Sequence, residues 1–202
     1  MRTGHAIAIV VSLLAVGSAH AGTLEADIEE IRALDAELAK TEQAGRPALL
    51  GRVARLKQAA IRRAVEVYGI DLRRVASGVQ YSPHGNMRER EGATILDADG
   101  TIRVVIGDSA FRSAAWLGST IAHEIEVHVD RQIARGVHYP PSNEEGTLIQ
   151  EVEAYDHELA GTDRFGLSQD EIRSLKQRRA GFYRVLRWEN RRRVDEGTYA
   201  LW

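Results

Sequence analysis

There is no cysteine anywhere in the 202 residues. That absence excludes disulfides and thiolate ligands together, so any metal must be held by histidine, aspartate or glutamate. A ligand set of that kind suits a catalytic site better than a closed structural one. Charge imbalance is missing too: a formal net charge of −2 is too small to steer nucleic acid, and no nucleic-acid partner is expected. Long apolar runs are scarce. The one near the start, Ala6 to Val16, is too short for a membrane span. It follows Arg2 and precedes Ala19-His20-Ala21, an A-x-A cleavage pattern, so residues 1–21 read as a secretory signal peptide. The expectation is an exported protein, periplasmic or secreted, with a mature net charge of about −3 and no stable membrane span once the signal is cleaved.

What is present is the composition of a folded domain, 44% hydrophobic and 28% charged, at a length that supports one core. Residues 22–202 are expected to form a single α+β domain, mainly α. Leu24, Ile28, Ile31, Leu34 and Leu38 recur at helical spacing up to Lys40. After Gly45-Arg-Pro47, a second helix runs to Tyr68 through Leu50, Val53, Leu56, Ala60, Ile61 and Val65, and Gly69 closes it. These make a helical hairpin over residues 22–70 whose charged residues read as a solvated face. Residues 78–111 change pattern. Val79 to Tyr81, Ala93 to Leu96 and Thr101 to Ile106 read as strands, the last two a hairpin across Asp97-Ala-Asp-Gly100. That turn starts like a calcium loop but has Asp108 where the twelfth-position glutamate belongs, so it reads as turn chemistry.

Residues 112–160 carry the chemistry. An apolar run from Ala114 to Ala134 reads as one helix ended by Gly136, and it holds His123, Glu124 and His128. Two imidazoles can hold a divalent cation while an adjacent carboxylate takes a proton from water. In H-E-x-x-H the histidines lie about 40° apart on a helix, whereas five residues separate them by about 140°. With Leu117 as origin, Ile121, Glu124 and His128 fall within about 40° and His123 about 120° away. A π-bulge between the histidines would bring His123 alongside His128. On an undistorted helix the metal would instead meet Glu124 and His128, leaving no general base at Glu124.

A loop with His138 and Tyr139 leads to a second helix, Thr147 to Ala160, with the apolar stripe Leu148, Val152, Tyr155 and Leu159. Glu151 borders that stripe at about 60° while Glu153 points almost opposite. A carboxylate beside the core needs a partner, which makes Glu151 the third ligand and Glu153 the fallback. Tyr155 faces inward, either packing or steadying an oxyanion, and His138 and Tyr139 are weaker candidates for that task. His157 is expected to be exposed. Ser168-Gln-Asp-Glu171 is a capping box that starts a last helix over residues 168–194, through Ile172, Leu175, Phe182, Leu186 and Trp188. Its arginines read as a solvated face.

His123-Glu124-Ile-Glu-Val-His128 with Glu151-Val-Glu-Ala154 resembles the H-E-x-x-x-H variant of the zincin metallopeptidases, seen in the dipeptidyl-peptidase III family of gluzincins. The match covers the two motif segments and not that family's large size. The resemblance implies Zn²⁺ held by His123, His128 and Glu151, the last matching the glutamate of E-x-x-A, with Glu124 as general base. It further implies a zincin-like core in which a small sheet precedes the metal-binding helix and its edge strand aligns an extended peptide or protein substrate. The expected function is metallopeptidase-like hydrolysis of a peptide or amide bond by metal-activated water. A different class, a non-catalytic binding module on a degenerate zincin scaffold, predicts no stoichiometric metal.

Overall fold

The computed structural model describes residues 6–43, 45–83, 87, 90–135 and 144–197. Helix α1 runs Ala6–Lys40 and α2 Arg46–Val67, so the first helix begins well before the expected Leu24. Leu24, Ile28, Ile31 and Leu34 are buried at the expected spacing, the first three in one core cluster with Ala60, Ile61 and Ala64 of α2. Leu50 departs from its expected place in the stripe: it is exposed at the rim of a cavity also lined by Asp35 and Lys57. The hairpin's charged face is likewise not all solvated. Lys57 is buried, its Nζ 2.7 Å from Asp108 and 2.8 Å from Asp35 and above the Tyr81 and Phe111 rings. It ties α2 to the region that follows the sheet, since a buried ammonium persists only where carboxylates meet it.

Three strands follow, β1 Val79–Tyr81, β2 Gly92–Leu96 and β3 Ile102–Ile106, in the order β1-β3-β2. β3 is central, parallel to β1 and antiparallel to β2, and its Val104, Val105 and Ile106 are buried. The β2–β3 connection is the expected turn. Gly100 takes φ +85°, Gly100 N–H bonds the Asp97 carbonyl, and Asp99 Oδ1 accepts from Thr101 N–H.

A single-turn 3₁₀ element at Asp108–Ala110 leads to the Ser113 cap, whose Oγ accepts from Trp116 N–H. The expected single helix is three segments in one continuous run: α3 Ala114–Ala122, a π segment His123–Val129, and α4 Asp130–Arg135. Helix α5, Glu144–Ala160, begins three residues before the expected Thr147. The short α6, Thr162–Phe165, ends at Gly166 with φ +72°, and α7, Gln169–Val185, opens on the complete Ser168–Glu171 capping box.

The expected last helix breaks. Leu186 turns extended, with ψ 147°, and α8 resumes at Trp188–Asp195. The break drops Leu186 into a second apolar cluster with Ile149, Val152 and Val194, and leaves Trp188, expected in the stripe, 68% exposed. Several expectations, the Gly136 cap, part of the turn after Tyr81 and both His138 and Tyr139, lie outside the described residues. Among the described residues no helix is long and apolar enough to cross a membrane. The chain is mainly helical with a small three-stranded sheet.

Candidate metal centre

The sheet packs against the π segment at the middle of the α3–π–α4 run, α5 crosses that segment, and α7 packs on α5. In the π segment each N–H reaches five residues back, so side chains five apart stack on one face. His123 and His128 therefore converge. Their Nε2 atoms stand 3.1 Å apart, with Glu151 Oε2 3.7 Å from His123 Nε2 and Glu151 Oε1 3.5 Å from His128 Nε2. Ligands about 2.0–2.1 Å from a tetrahedral zinc stand about 3.3–3.4 Å from one another. The separations, taken to whichever Glu151 oxygen faces each ring, bracket that edge length, and one donor atom from each residue lies within 4.8 Å of the others, a group able to hold a metal ion.

The chemistry of the donors also calls for a cation. Burial opposes a charge on His123, yet the carboxylates of Glu151 and Glu158 on either side outweigh it and hold its pKa well above the imidazole range. Burial raises Glu151, and His123, His128 and Arg90 together bring its pKa below the usual carboxylate value. Two imidazole nitrogens facing each other at 3.1 Å must share a proton or a metal between them.

Glu158 escaped the sequence reading. Buried at 3% exposure, it accepts from His123 Nδ1 at 2.8 Å and from Ser119 Oγ. That bond fixes the proton on Nδ1 and points the Nε2 lone pair at the donor group, the usual support of a metal-bound histidine. A signal was present: seven residues after Glu151 is about 20° around the helix, hence the same face.

Glu124 lines the same cavity as His123 and Glu151, a space of about 420 Å³. Its Oε2 accepts from Thr94 Oγ1 of β2 at 2.9 Å, and it lies so close to Gly92 that a Cβ there would come 2.7 Å from Oε1. Tyr155 is buried beside His123, ring centroids 5.1 Å apart, and stacked on Phe182. Burial foremost pushes its hydroxyl pKa far up, so it stays protonated. Beneath lies Glu91, which burial raises despite Arg178 and Arg112 beside it; it accepts from Trp116 Nε1 at 2.9 Å.

Two other acids and a histidine are settled elsewhere. Glu153, the fallback ligand, pairs through both oxygens with Arg131. His157 is not free on the surface as expected; its Nε2 meets Glu126 at 2.7 Å, where Arg164 also binds, because α5 packs that face on the π segment. The sequence matches no protein-family model and no curated protein, and no solved structure matches the chain, so the site stands on its own geometry.

Proposed function

We propose that the chain is an exported zinc-dependent hydrolase of the metallopeptidase type, on a zincin-like core, that cleaves a peptide or related amide bond. The observation that carries this reading is the convergence of His123, His128 and Glu151 with Glu124 lining the same cavity. Zinc, when bound there, would supply the charge that polarises a carbonyl and acidifies water.

The rest falls to the chain's own residues. Glu124, held by Thr94, takes a proton from the attacking water as its oxygen bonds to the carbonyl carbon. The C–N bond then breaks, and the proton passes from Glu124 to the leaving nitrogen. Tyr155, kept protonated by burial, is the donor for the oxygen on which charge develops. Glu158 holds the His123 ring in place. The outer edge of β2 has no strand partner among the described residues, and its Gly92 and Thr94 touch Glu124, so an extended peptide paired there passes the general base. Export rests on the Ala19-His20-Ala21 pattern after a short apolar run.

Elemental analysis of protein purified without chelator or added zinc is expected to find stoichiometric zinc. Glu124→Gln should keep that metal and lose turnover. Metal-free protein would favour the binding-module reading, and full turnover in Glu124→Gln would remove Glu124 from the mechanism.

A further inference from the structure

Of the two arginines that line the cavity, only one has an ion-pair partner among the described residues. Arg178 on its wall is committed to Glu91, 2.6 Å away, and to the Tyr155 hydroxyl. Arg90 also lines the cavity, is exposed at its mouth, and among the described residues has no ion-pair partner. Nor is its backbone loosely placed. Gly107 N–H bonds the Glu91 carbonyl at 2.8 Å, and a Cβ on Gly107 would come 2.2 Å from the Arg90 carbonyl oxygen. Arg90 is therefore pinned against the end of β3 at the entrance to β2.

From this position we propose that Arg90 binds a carboxylate of the substrate, so that the site selects anionic peptides. The proposal rests on the hydrolytic reading above. Arg90 precedes Gly92, which touches Glu124, by two residues, at most about 7 Å of extended chain. A bound peptide advances by about 3.3 Å per residue, so the recognised carboxylate sits one or two residues from the cleaved bond. Charge does not oppose it: with a divalent ion in place, the four lining carboxylates, Glu91, Glu124, Glu151 and Glu158, are balanced by Arg90, Arg178 and the ion, so an incoming anion meets no net negative surrounding. A planar guanidinium takes a carboxylate bidentately, and an exposed one at a cavity mouth loses little by doing so. Two sources carry the same chemistry, the C-terminus of a chain and an acidic side chain.

The test uses the zinc-loaded full chain on a mixture of peptides, with cleavage positions read by mass spectrometry. It is followed by matched pairs: one peptide with a free or an amidated C-terminus, and one with Glu or Gln two residues beyond the cut. A chain-end carboxylate predicts at least a tenfold preference in kcat/KM for the free acid. A side-chain carboxylate predicts the same for Glu over Gln. Either preference must vanish in Arg90→Gln and return in part in Arg90→Lys. Calorimetry on Glu124→Gln with the same pairs reads binding without turnover and should show the same ranking. Cleavage indifferent to both carboxylates, or a preference that survives Arg90→Gln, overturns this inference and leaves the hydrolytic reading standing. If no peptide is cleaved and no pair is ranked by binding, both fall.

Discussion

Glu158 touches the reaction only through His123, and this sets a prediction distinct from that for a ligand. Glu158→Gln keeps the shape and an acceptor for Nδ1–H but removes the charge that strengthens the ring's hold on a cation. Zinc affinity should drop about tenfold to a hundredfold, the usual cost of losing such support. Competition with a chelator of known affinity measures it, and unchanged affinity would show that Glu158 only fills space. A second residue-level prediction concerns pH. Burial first, then Glu25 and Glu171, push the Tyr68 hydroxyl pKa up to about 12. Below pH 10 the group is neutral in folded and unfolded chains alike, and its contribution is fully present. Above about 10 the unfolded tyrosine ionises while the folded one holds its proton until about 12, so stability falls across that window. Tyr68→Phe should flatten the fall, as measured by urea unfolding at pH 9 and pH 11.5; an equal slope in the variant would sink the assignment. Side-chain roles like these were only partly legible in the sequence. Glu151 was readable because the apolar stripe of its helix locates it, whereas Arg90 lies outside any periodic element and has no such signal.

At the scale of elements, α2 and the sheet each meet the α3–π run through a glycine. A Cβ at Gly118 would sit 2.2 Å from the Tyr68 ring, so α3 can approach the end of α2 only with glycine there. Gly92 plays the equivalent part for β2 and the π segment, but what it would strike is the end of the Glu124 side chain. Gly92→Ala should therefore move the general base at little cost to folding. Turnover is expected to fall at least tenfold while zinc content and melting temperature stay near wild type. A loss of stability matching the loss of activity would mean that the strand, not Glu124, had shifted. The π segment itself was legible from one fact, the five-residue spacing of two histidines that a common ion needs on one face. The break at Leu186 was not. Its cause is the apolar cluster of Ile149, Val152 and Val194 that accepts Leu186, and those residues lie far off in the chain or beyond the turn. Periodicity along a single helix carries no trace of such a distant demand. The buried Lys57 is illegible for the same reason, since Asp35 and Asp108 reach it from other elements.

For the whole molecule, the candidate ligands come from two separate helices: His123 and His128 from the π segment, and Glu151 from α5. A metal would clamp those helices across the middle of the fold, and an ion bound only by the native state stabilises it by RT ln(1 + [L]/Kd). At a hundredfold excess over Kd that is about 3 kcal/mol, or roughly 6–10 °C in melting temperature for a domain of this size. Chelator should therefore lower the melting temperature by that order near neutral pH, and readdition of zinc should restore it. The two neighbouring acids separate clamp from scaffold. Glu151→Ala should abolish most of the difference between zinc-loaded and chelated protein. Glu153→Ala breaks the half-buried pair with Arg131 and lowers both melting temperatures, yet the difference between them should persist. Should Glu153→Ala erase the chelator effect while Glu151→Ala preserves it, the metal would be held by a different face of α5, and the assignment of His123, His128 and Glu151 as one centre would be wrong.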